Sequence, residues 1–506
     1  MSPLRGKRVL IFQQRNWGIN IGHFLAKQLK AEGCHLAALN FKPSTREFIA
    51  KQKDVVYEMI EDQDEIMARP REYLGCDQYS LAEICRELGV DSVWPLVQSL
   101  RHHVKSYADR YYYGFKQNVS DEDIVAYLEA THKSFKRIFD EFKPDIVIAP
   151  TFVTYPHIAC NLYAKKRGIP MLTVTDSKVS EMYVFSYNYL DAESPFLDHL
   201  QALNRGVEQT KNRERARAYI REFREHFKKP TTLTQYKQYN KKTPVQRLRH
   251  ALAPYYHILQ WYLHAPQVNP EGTGITADWR PPRIILRDHY MHDWYMRKTE
   301  RFPYYPIEKI GKCVYFPLQF QPEAAVDLTS PRYNNQIETA RQVAMSLPDD
   351  YTLVVKDHPG MYGYRSPEDL EQLARTPNVK LVDYRIPSET ILKKADLVVG
   401  PASTTLAEAA FLQKPAIQLG DLGITQQLPN VVHHNDVTTL PGVIRKILKN
   451  DLHTPEYECR LENYVAAAFD VCFDLPYADV WAGSRSDLLP ALWEIYRAEL
   501  ERILNK

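Results

Sequence analysis

KCVYFPLQFQPEAA (312–325), LVVKDHPGMYGYR (353–365) and ADLVVGPASTTLAEAAFLQKPAIQL (395–419) decide the fold of this chain. Each opens on a short apolar run and closes on a polar cluster. The clusters are Gln319, Gln321 and Glu323; Lys356, Asp357 and His358; and Ser403, Thr404 and Thr405. Apolar runs of this length, bounded by turn residues, read as buried strands. In a parallel α/β sheet the polar residues at strand carboxyl ends converge on one crevice, and ligands bind there. Residues 306–450 therefore read as an α/β unit that handles a nucleotide.

The same rhythm opens the chain. RVLIF (8–12) reads as a first strand, Ile21, Phe24, Leu25 and Leu29 recur at helical spacing, Gly33 stops the helix, and His35 to Leu39 form a second strand. Gly18 and Gly22 stand in the first turn but do not make GxGxxG, so the dinucleotide fingerprint is absent. Gly22 and His23, read as a helix start, are a candidate anion or acceptor contact; a plain tight turn explains them equally. Residues 55–140 read mostly helical, with 119–142 clearest and Asp121 as its cap. The segment RHHVKSYADRYYYGF (101–115) reads as a glycan or lipid groove, or as a solvated helix face. DIVIA (145–149) and MLTVTDSKV (171–179) are further strands, and Asp176 at the end of the second is a candidate catalytic carboxylate or helix cap.

A chain of 506 residues is too long for one core, and this one divides four ways. Residues 1–190 form a Rossmann-like unit, 191–305 a basic and aromatic helical insertion with a linker, 306–450 the second Rossmann-like unit, and 451–506 helices that pack across the junction. Residues 204–250 carry 14 Lys and Arg against 4 Asp and Glu, a local excess of +10 in a chain whose net charge is only +3. The aromatic stretch APYYHILQWYLH (253–264) follows. Together, 204–262 read as a surface for anionic lipid or as a solvated insertion. No RNA-binding signature accompanies the charge, so nucleic acid is not an expected partner. The seven cysteines form no CxxC pair, which points to reduced thiols in the cytoplasm rather than a thiolate zinc site or a disulfide framework. No signal-peptide segment is read at the start and no apolar run approaches 18 residues, so any membrane association is expected to be peripheral, at the inner membrane.

The chemistry sits in the three clusters. Lys356 and His358 end a strand, with Pro359 fixing the backbone, and both suit a phosphate. Ser403, Thr404 and Thr405 precede a helix, where hydroxyls and unpaired amides make an anion site or an ordinary cap with Glu408 completing a capping box. Glu408 is alternatively placed to meet a ribose hydroxyl. Glu323, after a strand and Pro322, is a candidate acid, base or nucleophile, with Asp327 its competitor.

In this order and spacing, VYFPLQFQPEAA, KDHPGMYGYR and the run from Asn378 to Gly420 resemble the bacterial capsule and surface-polysaccharide glycosyltransferases, including Kdo transferases that use a CMP-activated 2-keto sugar. The His-Pro and Ser/Thr elements also resemble those of bacterial polysialyltransferases and of teichoic-acid polyol-phosphate polymerases. The resemblance covers roughly residues 311–445. It implies an α/β GT-B fold of two Rossmann-like domains, with the donor bound by the second and the acceptor by the first. It further implies that His358, Ser403 and Thr404 hold the donor phosphate, and that Glu323 stands where such transferases carry a catalytic carboxylate, often Asp. The implied substrates are a nucleotide sugar and a glycan or lipid-linked acceptor, with no cofactor and no metal. A CDP-polyol phosphotransferase and a non-catalytic capsule assembly factor are the alternatives.

Overall fold

The computed structural model describes residues 3–100, 119–227, 243–264 and 282–504. The aromatic segment 101–115 and all of 228–242 lie outside them. Two sheets organise the chain. The first runs β13-β6-β5-β4-β1-β2-β3, from β1 (Arg8–Gln14), β2 (His35–Phe41), β3 (Met59–Asp62), β4 (Ile146–Ile148), β5 (Met171–Asp176), β6 (Met182–Ser186) and β13 (Phe473–Asp474). β1 to β5 are parallel, while β6 and β13 add antiparallel pairs at one edge. β1 is buried on both faces: Leu10 and Phe12 join one core and Val9 and Ile11 another. Continuous apolar runs rather than alternation are what a sheet covered by helices on both sides requires.

The second sheet runs β12-β11-β10-β7-β8-β9, all parallel, from β7 (Cys313–Pro317), β8 (Thr352–Lys356), β9 (Val379–Val382), β10 (Leu397–Gly400), β11 (Ala416–Gln418) and β12 (Val431–His433). Counted within the unit this is order 3-2-1-4-5-6, the doubly wound Rossmann arrangement. Val314 and Phe316 face one core, Cys313 and Tyr315 the other. Two such units make a GT-B fold.

The units meet through their strand carboxyl ends. The Gly423 amide donates to the Leu190 carbonyl at 2.7 Å, and a Cβ at Gly423 would lie 2.5 Å from Ala192 Cα, so only glycine permits this approach. The buried Tyr464 hydroxyl, on helix Pro455–Val471, lies 3.0 Å from the Ser177 carbonyl of the first unit and 3.2 Å from the Ile424 carbonyl of the second. Through Tyr464 that helix touches both units. Beyond it the chain returns to the first unit: β13 pairs with β6, and helix Leu489–Leu504 buries Leu492, Trp493, Tyr496 and Leu500 in the first unit's core.

Three local expectations are corrected. The first helical stretch begins at Arg15, directly after β1, and continues through a π turn at Gly18–Gly22 into His23–Ala31. Gly22 and His23 are therefore mid-helix, and the His23 amide is spent on the Gly18 carbonyl. The π turn is a close-packing device, since a Cβ on Gly22 would meet Gln13 and come within 2.7 Å of Trp17. Ser120, not Asp121, caps helix Asp121–Arg137 by accepting from the Asp123 amide at 3.1 Å. The basic helix Arg213–His226 faces the protein: Arg213 and Arg217 pair with Glu462, and Arg224 with Glu458, on helix Pro455–Val471. Ala216, Ile220 and Phe223 of that helix are buried in the core, while Arg215 and Arg221 remain exposed.

Candidate active site

The register of the second sheet sets the three clusters side by side. Pro317 of β7 lies opposite Lys356 of β8, and Val398 of β10 opposite Tyr315. Continuing the second pairing by two residues brings Gly400 level with Pro317. With strands about 4.8 Å apart, the His358 and Ser403 turns start about 10 Å from one another, on either side of the Glu323 loop. The β7–β10 boundary is also where the strand order reverses, the position at which open α/β sheets bind ligands.

The loop after β8 is held from inside. Asp357 Oδ1 accepts from the His358 amide at 2.8 Å and from Arg365 Nε at 2.8 Å, and Arg365 Nη2 donates to the Gln319 carbonyl at 3.1 Å. Asp357 and Arg365 are both buried, so this ion pair fastens the His358 turn to the loop after β7. His358 Nδ1 accepts from the Gly360 amide at 3.0 Å, which places the proton of the neutral ring on Nε2 and makes that nitrogen a donor. Phe320 stands edge-on to the imidazole, 6.0 Å between ring centres. Lys356 is almost wholly buried at the strand end, 3% exposed.

The loop after β7 spends its amides on itself. Gln336 binds the Gln319 backbone and the Gln321 side chain, at 3.2 and 3.1 Å. Gln321 Nε2 donates to Asp327 Oδ1 at 2.9 Å and to the Asn334 carbonyl at 3.0 Å. Gln319, Gln321 and Asp327 are accordingly tied into this loop, Asp327 through its Oδ1. Glu323 precedes the short helix Ala324–Asp327 without capping it through its side chain.

Ser403 caps helix Thr404–Phe411, its Oγ accepting from the Thr405 amide at 3.0 Å. The expected box with Glu408 does not form, because Glu408 lies a full turn beyond the cap. It is buried beside the Tyr315 hydroxyl, whose acidity burial suppresses and the Glu408 charge suppresses further.

The first unit supplies residues that sequence reasoning passed over. Lys178 has a left-handed backbone, φ +67°, that turns the chain from β5 into β6. Its Nζ lies 3.2 Å from Asp176 Oδ2, and its amide donates to Asp176 Oδ1 at 2.8 Å. Burial works against the Lys178 ammonium, but Asp176, then Asp191 and Glu323, hold its pKa above the ordinary lysine value. Asp176 is thus the ion-pair partner of Lys178, and the negative charges of Asp191 and Glu323 add to its field. Burial pushes the Asp191 carboxyl above the usual range, against the pull of Ser186, Thr175 at 2.8 Å and Lys178. Only the Asp-x-Lys spacing in TDSK hinted at this arrangement, and the positive φ that closes it has no sequence mark at a lysine. Gly22 and His23 lie outside this crevice: His23 Nε2 is 3.3 Å from Asp54 and its ring meets Phe48 edge-on. Among the described residues, one group of three metal-competent side chains comes together, on two helices of the insertion rather than among these crevice residues.

Such a crevice, between the carboxyl edges of two doubly wound units, belongs to the class of GT-B proteins. No family model matches the chain, and no curated protein matches it. Solved structures align over long spans at low similarity. The glycotransferase of kitacinnamycin has 14% identity and TM-score 0.26, covering 95% of this chain and 99% of that one. The beta Kdo 2,7 transferase KpsC of Thermosulfurimonas dismutans has 13% identity and TM-score 0.34, covering 66% and 80%. A UDP-GlcNAc 2-epimerase of Neisseria meningitidis, bound to UDP-GlcNAc, has 11% identity and TM-score 0.27, covering 92% and 97%. At these values no residue here takes a role from them.

Proposed function

We propose that the protein is a glycosyltransferase of surface-polysaccharide assembly. It moves a sugar from a nucleotide donor to a glycan or lipid-linked acceptor. The observation that carries this reading is the alignment of the His358, Glu323 and Ser403 loops on one sheet edge at the switch point. His358 Nε2 and the amides at the start of helix Thr404–Phe411 are donors for a phosphate, and Lys356 adds positive charge beneath them. Donors fixed before the reaction stabilise the charge that develops on a departing nucleotide without reorganising. Glu323, at the start of the short helix after β7, serves as nucleophile or base at the anomeric carbon. Asp176 orients Lys178 from the opposite wall.

The donor we favour is a CMP-linked 2-keto sugar acid such as Kdo, on the strength of the sequence resemblance around QPE and HPG. The acceptor enters between the units, from the side of β5. The membrane reading moves to helix Pro244–His264, where Val245, Leu248, Leu252, Tyr255, Leu259 and Tyr262 form one exposed apolar stripe. Residues 228–264 hold no Asp or Glu, so the surroundings of that stripe favour an anionic lipid surface. Among the described residues no helix is long and apolar enough to cross a membrane.

Calorimetry with CMP, CDP and UDP, followed by incubation with CMP-Kdo and a lipid-linked acceptor, tests the proposal. Saturable binding of CMP and a glycosylated product are expected. No binding of any of the three nucleotides, with no product from CMP- or UDP-sugars, would overturn it. Transfer from a CDP-polyol alone would replace it with the phosphotransferase reading.

A further inference from the structure

Helices Pro244–His264 and Pro282–Glu300 of the insertion pack against each other, and the second also lies on the loop after β8, where His292 Nδ1 is 2.9 Å from the Gly363 carbonyl. His289 and Asp293 are four residues apart on the second helix and so share a face. His250 of the first helix meets that face. Its Nε2 lies 2.8 Å from Asp293 Oδ1, while His289 Nε2 lies 3.9 Å from Asp293 Oδ2. The two imidazoles are 4.6 Å apart between ring centres, tilted by 38°. One ligand atom from each of the three side chains lies within 4.8 Å of the others. The side chains are 29%, 14% and 24% exposed for His250, His289 and Asp293, open to entry by an ion yet anchored on two helices.

We propose that His250, His289 and Asp293 form a binding site for a divalent transition-metal ion, with zinc the ion the ligand set fits best. Two imidazoles and one carboxylate, with water in the fourth position, are a common zinc set. A tetrahedral ion with bonds of about 2.0–2.1 Å holds its ligand atoms about 3.3 Å apart. The three ligand atoms already lie within 4.8 Å of one another, so side-chain rotation that draws them in by about 1.5 Å meets that spacing. The plain reading is a histidine–carboxylate hydrogen bond, and it accounts for His250. A second imidazole, His289, stands 3.9 Å from the other oxygen of the same carboxylate and completes the set of three. On binding, the ion takes the place of the proton between His250 Nε2 and Asp293 Oδ1. That proton leaves to solvent. The ion then cross-links the two helices and fixes the one that carries the exposed apolar stripe.

The full chain, with thiols alkylated and metal stripped by chelator, is titrated with zinc by calorimetry and with cobalt by visible absorption. One ion per chain is expected, with protons released. His289→Ala and Asp293→Asn should each weaken binding by at least about 100-fold, more than loss of an outer-shell partner does. His257→Ala, an exposed histidine on the same helix, should leave it unchanged. Zinc should also slow hydrogen exchange in 244–264 in the wild type and not in His289→Ala. Absence of stoichiometric binding overturns the proposal. So does binding of equal strength in all variants, which would mark adventitious capture by surface histidines.

Discussion

Replacing Arg365 by Met should unfasten the donor side of the crevice, and its cost follows from what the guanidinium touches. Arg365 and Asp357 are each 5% exposed at the side chain and 2.8 Å apart. Met fills similar volume, so the packing loss is small and the electrostatic loss dominates. It leaves the Asp357 carboxylate buried beside the His358 amide at 2.8 Å without its cation, and removes the donor to the Gln319 carbonyl at 3.1 Å. Removing one partner of a buried pair costs about 3–5 kcal/mol. At about 2–4 °C per kcal/mol for a unit of 150–250 residues, the melting temperature should fall by roughly 6–20 °C. Because the same guanidinium ties the His358 turn to the loop after β7, nucleotide affinity should fall with it. Differential scanning calorimetry on Arg365→Met, Asp357→Asn and the double variant measures the coupling. The double variant should recover much of the loss, since it leaves no uncompensated charge. An Arg365→Met protein that melts with the wild type, or a double variant no more stable than Arg365→Met, would refute the reasoning.

Changing His358 to Ala removes the Nε2 donor and should lower kcat by about 10²–10³-fold with the fold intact by circular dichroism; unchanged kinetics would take His358 out of the phosphate site. Glu323→Gln should keep CMP affinity while abolishing turnover, whereas Asp176→Asn, acting through Lys178, should slow turnover less; the reverse order in steady-state rates would move the catalytic role to Asp176. Burial holds the His23 and His132 imidazoles below the ordinary histidine value, His23 despite Asp54 and His132 despite Glu87. The unfolded chain therefore protonates first, so stability is full above about pH 6.5 and declines as pH falls towards the lowered folded values. Melting curves between pH 5 and 8 should show this, flattened by His23→Gln with His132→Gln. Paired changes Leu252→Asp and Leu259→Asp should abolish flotation with anionic vesicles without altering CMP binding; retained flotation would refute the membrane role of the stripe.

The strands were legible because both sheets are covered on two sides. RVLIF, DIVIA, CVYFP, LVV and DLVVG are continuous apolar runs, which only burial on both faces explains, and each became a strand. Elements with weaker periodicity went unread: β3, whose MIED carries two acids, and β6, which is antiparallel at the sheet edge. Order along the chain placed the three clusters at strand ends, and the 3-2-1-4-5-6 winding made those ends neighbours. What stayed hidden depends on side-chain direction. Nothing in QFQPEAA distinguishes the inward Gln319 and Gln321 from Glu323; Gln336, an ordinary helix residue by its neighbours, turns the two glutamines in. Likewise the charge excess of 204–250 says nothing of where it points, and Glu458 and Glu462, more than 200 residues on, turn part of it inward.

The crevice also explains why the chain needs both units and the junction helix between them. The Lys356, His358 and Ser403 clusters come from the second unit and the Asp176–Lys178 pair from the first. Lys178 is placed by a left-handed turn whose neighbouring carbonyl, that of Ser177, meets the Tyr464 hydroxyl. The same hydroxyl lies against Ile424, one residue after the glycine that touches Leu190. A change in the angle between the units would therefore strain the Tyr464 and Gly423 contacts in one motion, so the junction sets where Lys178 stands relative to the second sheet.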